Sequence, residues 1–444
     1  MSSTTDLASR GAAIATPLRL AARRFGTPVY VTDIASLAGA ATSVCDAFPD
    51  PWIRQFSVKA NDVPAVIAAV SGRGFGANVV SRGEWAAATR AGLPNERITL
   101  EGIGKTAPDL RAAARAARDG QPLRWVALES PEEAAALAAI VRRAHREAGA
   151  GRVEGAGRVE GAGRVEGAGR VDVLYRLNPD VAPETLAGLA VGAGGSKFGM
   201  TELEIAEAIA AGGGADGPLR PRGIHLHVGS QLGAVDAWRD AVRRALAVTA
   251  LWRGAIETFD TLDVGGGFPV FDADQPAPGP ARFARELPAL LEAIPRDRRP
   301  SRLAIEPGRF LVARAGWLVA RVLHVRERSG PQVILDTGMT ELIRPALYGA
   351  RHPITALTSL GRTIEGDSTW DTLESARVEG PVCESTDSLG VHDLPPLRRG
   401  DLVAIADAGA YAASQSSTYN GRPRPAQVFI EMDGSLRLGR RGRP

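Results

Sequence analysis

Lysine occurs only at positions 59, 105 and 197, although lysine and arginine together number 53, so nearly every cation in the chain is arginine. Arginine keeps its proton at any working pH, whereas a lysine amine can lose it. The rare lysines are therefore candidates for covalent chemistry. Lys59 lies in Phe56-Ser57-Val58-Lys59-Ala60-Asn61, where apolar neighbours would desolvate the amine and favour imine formation. Lys105 follows a glycine-containing turn, and Lys197 sits in the Gly192–Gly199 loop, where solvent would keep it charged. Three other clusters carry chemistry. His227-Val228-Gly229-Ser230 offers an imidazole and a hydroxyl. Gly265-Gly266-Gly267 lets backbone N–H groups approach an anion. Glu306-Pro307-Gly308-Arg309 places a carboxylate three residues from a guanidinium.

Each cluster also has a plainer reading. A glycine triplet can be a turn, a strand histidine a hydrogen-bonded core residue, and Glu306 with Arg309 an ion pair closing a barrel. What separates the readings is whether the fold brings the clusters together. Eight β-rich segments recur at Gln55–Asn61, Gly74–Ser81, Ile98–Gly102, Arg124–Ser130, Asp172–Pro179, Gly223–Ser230, Thr261–Val270 and Leu303–Arg309. Stretches such as Pro131–Glu147 and Glu202–Ala211 have helical periodicity between them. Eight alternations of strand and helix predict a closed α/β barrel, with working residues at the C-terminal ends of strands. Lys59, His227, the glycine triplet and Glu306 all fall at such ends. An amine, an anion cradle and a carboxylate able to pair with a pyridinium nitrogen are the set that pyridoxal phosphate (PLP) needs.

After Gly316 the helical texture stops. Trp317–Glu327, Gln332–Asp336, Ala376–Cys383, Asp401–Asp407 and Gln427–Met432 read as strands of a separate β domain, which Pro28–Thr32 could join. A short irregular lead is expected to run into a helix through Leu18–Arg24, and the basic stretch Arg437–Arg443 to be a solvated end. Gly151–Ala168 repeats Gly-Arg-Val-Glu-Gly-Ala three times and is expected to be a flexible surface expansion. The two cysteines, Cys45 and Cys383, build no disulfide framework, which makes a reducing cytoplasm the default. A net charge of +3 points away from nucleic acid, and no apolar run is long enough for a membrane span.

Six motifs in order then resemble one family. Phe56–Asn61, His225-Leu226-His227-Val228-Gly229-Ser230, Glu306–Arg309, Arg344-Pro345-Ala346-Leu347-Tyr348-Gly349, Cys383-Glu384-Ser385 and Gly409-Ala410-Tyr411 resemble the series of the fold-type III PLP decarboxylases, above all the diaminopimelate decarboxylase family. The likeness runs from about Phe25 to Val428. It implies a (β/α)8 TIM-like barrel of the alanine-racemase type over 36–313, with 151–168 as an insertion. A β-sandwich or barrel domain would be formed by 1–35 plus 314–444.

The resemblance also implies roles. Lys59 would hold PLP, His227 would stack on its ring and Glu306 would pair with its nitrogen. Ser230, Gly266, Gly267, Arg309 and Tyr411 would surround the phosphate, with Arg309 and Tyr411 also reaching the substrate. Arg344 and Tyr348 would hold the substrate's distal carboxylate, Cys383 would return a proton to carbon, and Glu384 would face the distal amine. The last two would come from the partner of a homodimer. The implied reaction is decarboxylation of meso-diaminopimelate to L-lysine, with a related decarboxylase of another D- or ω-substituted amino acid as the alternative. Asn78 departs from the pattern, standing where the family generally has aspartate, and Phe268-Pro269 resembles other branches as much as this one.

Three other classes are weighed. A non-catalytic PLP carrier would lack the β domain bearing Cys383, Glu384 and Tyr411. A racemase on the same fold would want a second base facing Lys59, and none is assigned. A barrel metallohydrolase is suggested by His225-x-His227, whose side chains would share a strand face. The other four histidines fall outside the expected strand ends, so no metal is expected.

Overall fold

The computed structural model describes residues 3–150, 169–181, 192, 195–270, 277–364 and 373–442. The Gly-Arg-Val-Glu-Gly-Ala repeat lies outside them.

A short strand, β1 (Val29–Asp33), precedes the barrel. Eight parallel strands then close on themselves: β2 (Ile53–Ser57), β3 (Gly76–Val79), β4 (Ile98–Leu100), β5 (Trp125–Leu128), β6 (Val171–Leu177), β7 (Leu219–Leu226), β8 (Thr261–Asp263) and β9 (Arg302–Ile305). β9 returns to β2 through Ile53↔Ala304 and Arg54↔Ile305, which removes the free edges. Helices form between strands where sequence and caps agree. Glu202–Gly212 starts on Thr201, whose side chain accepts from the Glu204 amide while Glu204 reaches back, and it stops at left-handed Gly213. Its buried Ile205, Ala208, Ile209 and Gly212 form one stripe facing the barrel.

The chain leaves the barrel at Arg309–Val312, a short helix, and enters a nine-stranded sheet. Its strands are β1, β10 (Gly316–Glu327), β11 (Pro331–Leu335), β12 (Ile354–Ala356), β15 (Glu374–Glu379), β16 (Ser388–Leu394), β17 (Leu402–Ile405), β18 (Ala426–Ile430) and β19 (Leu436–Arg440). A separate two-strand ribbon pairs β13 (Thr358–Ser359) with β14 (Arg362–Thr363). β1 lies between β10 and β18, antiparallel to the first and parallel to the second, so the expected extra strand is integral to the sheet.

Three expectations change. The N-terminal helix begins at Ser3, far ahead of Leu18, and its Leu18, Ala21 and Ala22 bury against β1, β10 and β18 residues. The basic end is not merely solvated, because Leu436–Arg440 pairs with β18 and Arg437 covers the Phe429 ring at 4.8 Å. The strand expected over Ala376–Cys383 stops at Glu379, so Cys383 belongs to the following loop. No helix among the described residues is long and apolar enough to cross a membrane.

Candidate active site

Lys59 occupies a single 3-10 turn, Val58–Ala60, immediately past β2. Two neighbours of that turn are anchored on the β domain. The Tyr411 amide donates to the Ala60 carbonyl at 2.8 Å, and Asn61 Nδ2 donates to the Gly409 carbonyl at 3.0 Å. Tyr411 adopts φ +56°, a backbone conformation that a bulky residue adopts only when its surroundings impose it. The lysine-bearing turn and the Gly409–Tyr411 motif are thus locked together across 348 residues of sequence.

A cavity with about 300 Å³ of open space lies at the C-terminal mouth of the barrel. Lys59, His227, Ser230, Gly267, Glu306, Arg309 and Tyr411 line it, together with Ser57, Gln231, Phe268 and Gly308. Seven residues singled out in sequence therefore converge on one space. Lys105 and Lys197 do not. Lys105 is buried in a 3.1 Å ion pair with Glu133, and Lys197 lies over Phe198.

The glycine triplet is there because nothing larger fits. A Cβ on Gly266 would stand 2.2 Å from the Glu306 carbonyl oxygen, and one on Gly267 2.3 Å from that of Gly229. Gly267 also has φ +93°. The two amides differ in use. That of Gly266 donates to His227 Nδ1 at 3.3 Å, and Gly267 is the member that lines the cavity. With Nδ1 accepting, the His227 proton sits on Nε2 and the ring is neutral. Burial, then the charges of Lys59 and Arg176, hold its pKa well below the usual histidine value. A neutral ring is the form that stacks on an electron-poor heterocycle without repelling it.

Glu306 and Arg309 do not form the ion pair that sequence allowed. The Arg309 guanidinium lies 4.6 Å from the Tyr411 ring centroid, and burial lowers its pKa while it remains the cation of the cavity. Glu306 Oε2 lies 3.5 Å from His225 Nε2, while Glu306 Oε1 is buried without a hydrogen-bond partner. An orphaned carboxylate oxygen at the wall of a cavity is costly unless a donor arrives. A pyridinium N–H is such a donor, and the amine, the glycine rim and the guanidinium complete the requirements of PLP.

Behind Glu306 lies a polar cluster that sequence did not reveal. Glu101, just past β4, accepts from Asn78 Nδ2 at 2.9 Å and stands 3.5 Å from His225 Nε2. Ligand atoms of Glu101, His225 and Glu306 lie within 4.8 Å of one another. His225 and His227 therefore serve different neighbours and do not form one ligand pair. Burial, then the nearby Glu306, raises Glu101 to about 8, and burial lowers His225 to about 4. Asp263, on β8, is raised well above its usual range by burial and by the same two glutamates. Glu84 was missed as well. It lies beside Lys59 on a second opening with Asp62, Ser81 and Tyr411. The available signal was position, since acids at the C-terminal ends of barrel strands face the site.

The β-domain candidates divide. Arg344 is buried in the short helix Arg344–Tyr348 and lies 5.8 Å from the Tyr348 ring centroid. His352 Nε2 accepts from Arg344 Nε at 3.3 Å, and its Nδ1 meets the Ala406 carbonyl at 3.1 Å. Cys383 and Glu384 do not reach the cavity of their own chain. Both are exposed on the loop after β15, with Glu384 Oε1 accepting from Tyr419 at 2.7 Å.

Residues 35–313 match the family model of the pyridoxal-dependent decarboxylases, pyridoxal binding domain. The diaminopimelate decarboxylase of Zymomonas mobilis is 32% identical over 96% of this chain and 92% of its own length. That of Deinococcus radiodurans is 35% identical over 93% and 92%. The crystal structure of diaminopimelate decarboxylase from Helicobacter pylori complexed with L-lysine superposes with a TM-score of 0.80, at 26% identity over 95% of each chain. The residues gathered at the barrel mouth, a family model spanning the barrel and full-length relatives at this identity agree: the chain belongs to the PLP-dependent decarboxylases, in the diaminopimelate decarboxylase family.

Proposed function

We propose that this enzyme decarboxylates meso-diaminopimelate to L-lysine and carbon dioxide, holding PLP on Lys59. The observation that carries the reading is the convergence of Lys59, His227, Glu306, Arg309 and Tyr411 on one cavity. Bound there, PLP supplies an electron-poor ring that takes the electron pair released when the bond between the α-carbon and its carboxylate breaks.

The chain's own groups do the rest. With PLP bound, Glu306 would pair with the ring nitrogen and neutral His227 would lie against the ring. Arg309, the amide of Gly267, the hydroxyl of Ser230 and Tyr411 would hold its phosphate, while the Gly266 amide acts through His227. Arg344 grips the distal carboxylate with the planar fork that such an anion suits, and Tyr348 lies against it. Cys383 delivers a proton to the α-carbon as carbon dioxide leaves, and Glu384 accepts hydrogen bonds from the distal amine. Because both lie exposed on their own chain, they are read as entering the cavity of a second copy, which makes a two-fold homodimer the working unit. Its partners are then the amino acid and a second copy of itself, in a reducing cytoplasm that keeps Cys383 a thiol.

Purified, PLP-loaded enzyme should convert meso-diaminopimelate to lysine and carbon dioxide in equal amounts, with lysine, ornithine and arginine turned over far more slowly. Release of carbon dioxide from one of those instead would move the substrate to the related-decarboxylase alternative. Absence of visible PLP absorbance in reconstituted enzyme would overturn the reading entirely.

A further inference from the structure

Residues 383–386 are exposed one after another between buried Val382 and buried Asp387, so packing does not set the shape of the loop that carries Cys383 and Glu384. Hydrogen bonds of Asp387 set it instead. The Gly380 amide donates to the Asp387 carbonyl at 2.8 Å, and the Asp387 amide donates to the Glu384 carbonyl at 3.1 Å. The Asp387 carboxylate, on a residue only 3% exposed, accepts from the Val382 amide at 2.7 Å and from the Met339 amide at 2.6 Å. Met339 belongs to the turn that follows β11 and leads into the helix Arg344–Tyr348. We infer that Asp387 is a positioning residue for the reaction. Its carboxylate fixes the Cys383–Glu384 loop on that turn, so that both side chains leave the chain in the geometry that the site of a second copy requires. This rests on the proposed entry of Cys383 and Glu384 into a partner's site.

The surroundings are shaped to this carboxylate. A Cβ on Gly338 would stand 2.2 Å from Oδ1, and one on Gly380 would stand 2.3 Å from both oxygens. Neither glycine has a positive φ, so the carboxylate, not the backbone, keeps side chains out of both positions. Each oxygen accepts from a different segment, Oδ2 from the loop and Oδ1 from the turn. An amide in its place would have one acceptor and would turn a donor on the other N–H. The same turn also steadies the outer side of the loop. Its Thr340 carbonyl accepts from the Ser417 amide at 2.9 Å, and Tyr419, two residues on, donates to Glu384 Oε1 at 2.7 Å. The turn is itself folded on Glu341, whose Oε2 accepts from the Gly338 amide and the Thr337 hydroxyl, each at 3.1 Å. Asp387 does not line the cavity of its own chain, so its effect on the reaction passes through Cys383 and Glu384.

The test uses full-length, PLP-loaded protein carrying Asp387→Asn or, as a second variant that leaves the carboxylate present but displaced, Gly380→Ala. Each should keep PLP absorbance and lower kcat/KM for meso-diaminopimelate about tenfold, the effect of one buried amide left unpaired. Subunit exchange then shows on which chain the defect acts. Mixed with Lys59→Ala protein, either variant should regain about a quarter of wild-type activity, because in hybrid dimers its native Lys59 meets the native loop of the other chain. Mixed with Cys383→Ala protein it should gain nothing, because both changes then lie on the same loop. Recovery with Cys383→Ala in place of Lys59→Ala would put the defect on the Arg344 side of the turn and overturn the inference. Loss of PLP absorbance, or full activity in both variants, would overturn it as well. Mixing Lys59→Ala with Cys383→Ala separates it from the reading beneath. If that pair fails to recover, the shared site fails and the inference with it. If that pair recovers while Asp387→Asn with Lys59→Ala does not, the role of Asp387 alone fails.

Discussion

The barrel and the β domain solve the same problem, placing chemistry at a cavity, in opposite ways. Barrel residues reach the site because each follows closely on a strand that neighbours close into a ring, Lys59, His227 and Glu306 within two positions and Ser230, Gly267 and Arg309 within four, so a single chain supplies them all. β-domain residues come from a helix, a turn and a loop joined by long-range pairings, and only some of them reach it. Tyr411 is pinned to the turn of Lys59, Arg344 is buried and braced by His352, and Cys383 and Glu384 point to solvent. The barrel residues of the cavity thus come from one chain, whereas Cys383 and Glu384 enter the site only under the proposed dimer.

The largest effect belongs to the barrel. Lys59→Ala should remove visible PLP absorbance and lower turnover by more than about a thousandfold, as loss of a covalent catalyst does. Lys105→Ala should keep PLP absorbance and cost stability instead, since Lys105 pairs with Glu133 away from the cavity and its loss leaves a buried carboxylate without its cation. Equal losses from the two changes would erase the distinction between a lysine used for chemistry and one used for structure.

Next comes the proposed distal grip. Arg344→Lys keeps the charge but loses the fork, and should lower kcat/KM for meso-diaminopimelate by roughly 10–100-fold, the worth of one charge-assisted hydrogen bond. PLP absorbance should be unchanged. If absorbance collapses as well, the two ends of the site are not separable. The division between chains has its own test. Lys59→Ala and Cys383→Ala proteins should each be inactive, but in the proposed dimer, mixed and allowed to exchange subunits, they should recover about a quarter of wild-type activity, because half the dimers would be mixed and each of those would hold one native site. No recovery on mixing would return Cys383 to its own chain and leave its exposure unexplained.

The same contrast explains what could be read from sequence. All eight barrel strands were legible because each is an apolar run bounded by helical stretches, even Gly76–Val79 and Ile98–Leu100, which are only a few residues long. Their ends were less so. Lys59 proves to sit in a turn past β2, since apolar content does not mark where hydrogen bonding to the next strand stops. In the β domain, Ser388–Leu394 escaped because Gly390, His392 and Asp393 break its alternation, and it forms only by pairing with Glu374–Glu379. Leu436–Arg440 was hidden by its arginines, which suit an edge strand as well as a free end. Glu101 and Asp263 were individually visible, but their meaning lies in distances across strands that no local pattern encodes.

The smallest effect on activity is expected at His352, where it bears on how firmly the distal grip is held. Its Nδ1 faces a carbonyl, so the proton is there, and Nε2 is left to accept from Arg344. That geometry requires a neutral ring, and burial together with the adjacent Arg344 lowers its pKa to about 4. The sign follows from the depressed value. Unfolded chains protonate this histidine near 6.5 while the folded enzyme resists, so stability is full above pH 6.5 and is lost as pH falls toward 4. The loss is roughly 3 kcal/mol at an even 1.36 kcal/mol per decade of proton concentration. His352→Gln keeps an acceptor for Arg344 but cannot titrate. It should unfold with a smaller acid-induced drop in midpoint between pH 7 and 4.5, with KM raised only about threefold, a fraction of one hydrogen bond. Identical acid sensitivity in the two proteins would mean that His352 protonates freely in the fold, and Arg344 would then owe its orientation to something other than this imidazole.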